Sequence, residues 1–185
     1  MNATELTDHK SASDALYSHD SNIDLEKQLF FGFQFGVSEN DIIKTIGNPS
    51  AIYEVNDLRN LYYGRDVVFI FKKGKLSGVI AGRYLIPYNV DRIDDSFQAL
   101  SPRWTIGKLK YGDKKKLVED TLEIKSFWVE QSRFNKKEIM GMKIQVDYYR
   151  DETKNAITNE QEYLNNVKIE KTEANKADSP NGLQP

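Results

Sequence analysis

Phe33-Gln34-Phe35-Gly36-Val37-Ser38-Glu39-Asn40-Asp41-Ile42-Ile43-Lys44-Thr45-Ile46-Gly47-Asn48-Pro49 reads as a short helix with both of its ends written out. Ser38 is a good N-cap, able to accept from the amide near Asp41, and the Asp41 carboxylate favours the positive end of the helix. Ile42, Ile43 and Ile46 fall on one side of a 3.6-residue turn and form a single stripe to bury. Gly47 suits a left-handed C′ position, and Pro49 blocks continuation. The helix is therefore two to three turns long.

Strands follow. Leu61-Tyr62-Tyr63 is a short apolar run closed by Gly64, and Val67-Val68-Phe69-Ile70-Phe71 is β-branched and aromatic throughout. Lys72-Lys73-Gly74-Lys75 makes a polar turn, after which Leu76–Ile80 returns. The pattern then recurs 76 residues later: Phe35-Gly36 maps to Tyr111-Gly112, Phe33 to Leu109, Ile42 to Val118 and Ile46 to Leu122. Asp113 takes the capping role of Ser38 ahead of a second helix at about Lys114–Glu123. Phe127-Trp128-Val129 comes next. Met142, Ile144, Val146 and Tyr148 then alternate with Lys143, Gln145 and Asp147, as a strand with one wet face does. Leu164-Asn165-Asn166-Val167 echoes Leu76-Ser77-Gly78-Val79 at an offset of 88, the added residues falling in longer hairpin connections around Asn135 and Asp151–Glu162.

The expected fold class is α+β: two tandem helix-plus-antiparallel-β-meander units, with helices packed on one face of an antiparallel sheet. The expected organisation is a polar tail at 1–21, one domain at 22–170 made of units 22–90 and 100–170, and a second tail at 171–185. Both tails carry too few large apolar residues to dock.

Gly36-Val37-Ser38, Asp41-Ile42-Ile43, Ile46-Gly47-Asn48-Pro49, Tyr63-Gly64 and Val67–Phe71 with Gly74-Lys75-Leu76 together resemble the SmpA/OmlA (BamE-like) pattern over about residues 30–80, and loosely over 106–170. Two such units in tandem are similar to the β-lactamase inhibitory protein, and single units to some toxin-immunity proteins. The resemblance implies a non-catalytic binder. In the second copy, Glu123-Ile124 stands where the family has Gly-x-Pro.

Composition narrows the chemistry. Lys and Arg number 26 against 28 Asp and Glu, a balance of −2 that does not favour a nucleic-acid partner. Cysteine is absent, which excludes disulfides and thiolate chemistry. The mean hydropathy is −0.63, and no stretch is apolar and long enough to span a bilayer. A secretory signal is not legible at the start. The compartment is then cytoplasmic if Met1 is native, or the cell envelope if Met1 replaces an export signal, with the membrane reached only through a lipid anchor missing from this sequence.

His9 and His19 fall in the expected tail. Asp91, Asp94 and Asp95 read as a linker in which Asp94 or Asp95 caps a short helix at Ser96–Leu100. Arg103–Lys116 is basic, with Trp104 and Tyr111 interleaved, and reads as a solvated face with Trp104 in the core. No catalytic residue, metal ligand or cofactor site is expected.

The aromatics favour protein binding. Neighbours such as Tyr62 and Tyr63 point to opposite faces of a strand, and helices cover only one face. Tyr62, Tyr63, Trp128, Lys143, Gln145, Asp147 and Tyr149 are the candidate protein-binding residues, with aromatic anchors and a charged rim. The expected function is a non-enzymatic module that inhibits or neutralises a partner protein (a toxin, an enzyme or an envelope component). An SmpA/OmlA-like lipoprotein scaffold is the alternative, and a small hydrolase the remote one.

Overall fold

The computed structural model describes residues 9–83, 85, 102–124, 127–129, 132–150 and 162–172. Its architecture is mixed α+β, with three helices and two sheets among those residues.

The first helix, α1 (His9–His19), occupies part of what the sequence marked as tail. It docks because Ala12 and Leu16, one turn apart, are both buried, and Leu16 is fully enclosed. Three short strands follow: β1 (Asn22–Asp24), β2 (Leu29–Phe30) and β3 (Phe33–Gln34). The helix read from Ser38 to Gly47 is α2 (Glu39–Ile46): Ser38 accepts from the Asp41 amide at 3.2 Å, and Gly47 sits at φ 84°. Ile42 and Ile46 are buried and Ile43 packs against the same core.

A meander follows α2, made of β4 (Ala51–Val55), β5 (Leu58–Tyr63), β6 (Val67–Lys72) and β7 (Lys75–Ala81). The polar turn at Lys73-Gly74 has positive φ at both residues, the backbone that matches strand twist in a two-residue hairpin. After residue 102 come β8 (Thr105–Ile106), β9 (Leu109–Lys110) and α3 (Lys115–Leu122). The remaining strands are β10 (Phe127–Val129), β11 (Ser132–Ile139), β12 (Met142–Arg150) and β13 (Glu162–Lys171). Asp113 does not cap α3. Lys114 holds that position without a side-chain bond, while the Asp113 carboxylate accepts from the Lys110 amide at 2.9 Å and closes the turn after β9. The Asp91–Asp95 cluster and the helix expected at Ser96–Leu100 lie outside the described residues.

The large sheet is antiparallel, in the order β10-β11-β12-β13-β7-β6-β5-β4. The two meanders meet where β13 pairs with β7: Val167 opposite Ala81, Lys168 opposite Ile80 and Ile169 opposite Val79. The pairs β6–β7 and β12–β13 each carry one bulge, which leaves Ser77 and Asn165 without a cross-strand partner. The segments before α2 and α3 each cross the start of a strand. Gly36 N–H donates to Leu76 O at 2.8 Å, and Gly112 N–H to Leu164 O at 3.0 Å.

The second sheet was not anticipated. Its order is β3-β2-β1-β8-β9, and β1–β8 is a parallel pair. Strands of two or three residues are too short to show a period, and a parallel partner some 80 residues away leaves no local mark. The core lies between this layer with the helices and one face of the large sheet. Leu61, Tyr63, Phe69, Val79, Ile144, Val146, Val167 and Ile169 supply the sheet side; Leu16, Ile42, Val118, Phe30 and Trp104 supply the other.

Candidate functional site

Strand registers give the composition of the sheet face turned away from the helices. One row across it reads Ala51, Tyr62, Val68, Ile80, Lys168, Gln145 and Lys136. The adjacent row reads Tyr53, Asn60, Ile70, Gly78, Glu170, Lys143 and Glu138. The face is therefore divided. On β4 to β7 it is apolar and aromatic, and on β13 to β11 it is charged, with Lys168 and Glu170 paired at 2.9 Å.

Lys143, Gln145 and Asp147 lie together on the charged half, as strand alternation requires once Met142, Ile144 and Val146 are buried against the helices. Lys143 is exposed and the other two half-buried. Burial pushes the Asp147 carboxyl upward, against hydrogen bonds from Asn166 and Gln145 that hold it down. Tyr62 is on the same face, half-buried, and its phenol is raised by burial and by neighbouring Tyr53. Tyr63 is not. Alternation separates the two tyrosines without saying which goes inside, and Tyr63 is fully buried with its hydroxyl donating to Gly47 O at 2.9 Å. Trp128 pairs with Arg133 at the far end of the sheet, in β10.

Tyr149, one of the expected aromatic anchors, is half-buried within a ring cluster. Its ring stacks on Tyr111 with centroids 5.6 Å apart and planes 13° apart, and it meets Tyr163 at 5.6 Å. The Arg83 guanidinium donates to the Tyr111 hydroxyl at 3.2 Å and lies 5.8 Å from that ring's centroid. Burial, then Tyr111, raises the Tyr149 phenol. Tyr111 and Arg83 were missed as members of this cluster. The one available signal was the sequence alignment of Tyr111 with Phe35, whose ring packs at a tilt against Phe30 with centroids 4.4 Å apart.

A second polar cluster sits under α1. Tyr17 donates to Asp66 at 3.4 Å, the Arg103 guanidinium lies 4.4 Å over the Tyr17 ring, and Arg103 pairs with Asp14 at 2.6 Å. Desolvation pushes the Asp66 carboxyl up to about 6, although Tyr17, Arg103, Arg83 and Arg65 pull it down. The folded chain thus binds a proton near pH 6 that the unfolded chain binds only near pH 4, so stability is gained as pH falls through that window. The wild type should gain about 1 kcal/mol over Asp66→Asn between pH 7 and pH 5, discounted for partial exposure. Urea denaturation of both proteins across that range is the measurement. Parallel pH profiles would count against a raised Asp66.

The basic stretch behaves as a solvated face. Trp104 is fully buried, Lys108, Lys110, Lys114 and Lys116 are exposed, and Lys115 pairs with buried Glu162 at 2.8 Å. His19, expected in a tail, stacks on Phe33 at 5.1 Å. Among the described residues no three His, Asp or Glu side chains gather as a metal site would need, and no helix is long and apolar enough to cross a membrane.

No protein-family model matches the chain, and no curated protein matches it. Among solved structures, it is similar to a cysteine-rich secretory protein from Staphylococcus aureus subsp. aureus Mu50, at 12% identity and TM-score 0.41, over 74% of this chain and 44% of that one. It is also similar to an extracellular protein containing a SCP domain from Bacillus anthracis str. Ames, at 12% identity and TM-score 0.45, over 82% of this chain and 47% of that one. The chain spans less than half the length of either. The SmpA/OmlA and β-lactamase-inhibitory-protein resemblance is not upheld by any of these comparisons: no family model or curated protein of either kind matches, and the solved structures named are of neither kind. The residues that carried it explain why it misled: Ser38 caps a helix, Gly47 ends it, and Gly36 and Gly74 turn the chain at positive φ. Such local duties recur in unrelated folds.

Proposed function

We propose that this chain is a non-enzymatic protein-binding module that presents the charged half of its outer sheet face, on β11, β12 and β13, to a partner protein. The observation that carries the reading is the arrangement of that half. Lys143, Gln145, Asp147, Lys168 and Glu170 form mixed-charge rows that end at the Tyr111–Tyr149–Tyr163 cluster with Arg83. Tyrosine and arginine beside an orienting charged rim are the composition of a binding patch.

We further propose that the module is built from two copies of one unit, hairpin–helix–four-strand meander. Support comes from matching contacts. Gly36–Leu76 and Gly112–Leu164 are the same hydrogen bond at sequence offsets of 76 and 88, as are Leu76–Val37 and Leu164–Asp113. The bulged residues Ser77 and Asn165 differ by the same 88, as do Ile80 and Lys168, the residues paired at the centre of β7–β13. Two equivalent strands thus meet about a local two-fold axis, and the two helices share one side of the joint sheet.

The test is capture of a partner on immobilised protein, followed by calorimetric titration of the purified partner. Tyr149→Ala should weaken binding by about 1–2 kcal/mol, the cost of a lost aromatic anchor. Because Tyr149 stacks on Tyr111 and packs at a tilt against Tyr163, the change should also cost about 1 kcal/mol of stability, so a thermal melt accompanies the titration. Lys143→Glu, an exposed change, should weaken binding without shifting the melt. Unchanged affinity in both variants would remove this face from consideration.

A further inference from the structure

We propose that strand β4 is a homotypic docking edge, along which a second copy of this chain pairs antiparallel about a two-fold axis at Tyr53. Among the described residues four strands are outermost in their sheets. Three are protected by shortness: β3 and β9 have two residues each, β9 ending on Lys110, and β10 has three. The fourth, β4, has five residues in unbroken register with β5, and its sequence Ala-Ile-Tyr-Glu-Val contains no lysine, proline or bulge. Of the devices by which exposed edges normally avoid pairing, β4 carries one charge, Glu54, and lacks the lysine, proline, bulge and brevity that the other edges or edge strands in general use.

The edge is also self-complementary. The two-residue turn at Asn56-Asp57 makes Val55 and Leu58 a hydrogen-bonded pair, so Ala51, Tyr53 and Val55 turn their amides to β5. Ile52 and Glu54 then turn theirs outward. Antiparallel pairing centred on Tyr53 sets Ile52 of each copy opposite Glu54 of the other, which satisfies all four outward N–H and C=O pairs with four hydrogen bonds. Ala51 meets Val55, and Tyr53 meets Tyr53. The only charge on the strand, Glu54, pairs with Arg59, a guanidinium it shares with Glu39, and the register sets it opposite Ile52 instead of opposite the other copy's Glu54. Val55, 39% exposed, gains a cover. The chain makes the same kind of junction internally, where β7 meets β13 antiparallel. A strand pair of this size is a weak interface, with a dissociation constant on the order of 100 µM.

Absence of cysteine makes the test clean. Sedimentation equilibrium of the full chain should show the average mass rising from 21.3 kDa toward twice that value between about 10 µM and about 1 mM. In the paired state Tyr53 faces its own copy at a non-hydrogen-bonded position, where Cα atoms lie about 4.5 Å apart, within reach of a disulfide. Under a mild oxidant Tyr53→Cys should therefore form covalent dimer at least about tenfold faster than Val55→Cys, whose counterpart is Ala51. Circular dichroism in reductant checks that both variants are folded. A wild-type mass that stays monomeric, which would leave β4 to a strand of some other chain, overturns the proposal. So do equal crosslinking rates for the two cysteines. Neither readout involves the outer-face residues of the proposed binding patch, so the two readings stand or fall separately.

Discussion

Phe69→Ala should lower the free energy of unfolding by about 3–5 kcal/mol, the range for emptying an aromatic site in a core that cannot collapse around it. Phe69 is fully buried in the middle of β6 and stands edge-on to three rings: Phe31 at 6.0 Å, Phe33 at 5.8 Å and Tyr63 at 5.6 Å. Phe31 and Phe33 flank and begin β3 of the small sheet, so Phe69 is where the two sheets meet. Its removal leaves a void bordered by rigid rings and forfeits three favourable edge contacts. A domain of this size has about 5–15 kcal/mol in total, so the variant sits close to unfolding at room temperature. Urea titration followed by tryptophan fluorescence gives the number. A cost below about 1 kcal/mol would mean that the small sheet does not bear on the large one through this residue.

The second large effect belongs to Trp104. Its side chain is fully buried and its indole N–H donates to Gly82 O at 3.2 Å. Gly82 directly follows β7, and Trp104 directly precedes β8, so this bond pins together the two ends of the connection between the chain's halves. Trp104→Ala should cost about 3–5 kcal/mol through the cavity and the stranded carbonyl. Trp104→Phe, which keeps most of the volume and loses the donor, should cost about 1–2 kcal/mol. The contrast between the two variants in denaturant separates packing from hydrogen bonding. Equal losses would assign the whole effect to the bond.

Legibility in the sequence followed the range of the interactions. Ser38, Ile42, Ile46 and Gly47 lie within ten residues of one another and define α2 without outside help. The alternation of Met142, Ile144 and Val146 against Lys143 and Gln145 assigned the faces of β12 for the same reason. The failures are long-range. α1 buries Ala12 and Leu16 and rests Tyr17 against the core, a pattern too sparse to distinguish from a polar tail until the core that receives Leu16 is known. Tyr63 and Tyr62 were separable but not orientable, because the choice depends on where Gly47 O lies. The Tyr149–Tyr111 stack joins residues that share no local pattern, and Asp113 had a competing local use in the β9 turn.

The place of β13 in the middle of the large sheet has a consequence for how the protein is made. Ala81 ends β7 and Lys171 ends β13, about 90 residues later, yet the two strands are neighbours. A nascent chain that has completed β4 to β7 carries Val79 and Ala81 on an open edge, with backbone groups waiting for a partner not yet synthesised. At about 5–20 residues per second, that wait lasts on the order of 5–20 s after β7 leaves the ribosome. During it the first half is at its most adhesive, because an unpaired apolar edge accepts any strand that arrives. The late, non-local closure by β13 also sets a slow folding step, since the entropy of so long a loop is spent before the central pairing returns anything. Point changes along Gly78–Ala81 should therefore harm yield in cells more than they harm the stability of protein already folded.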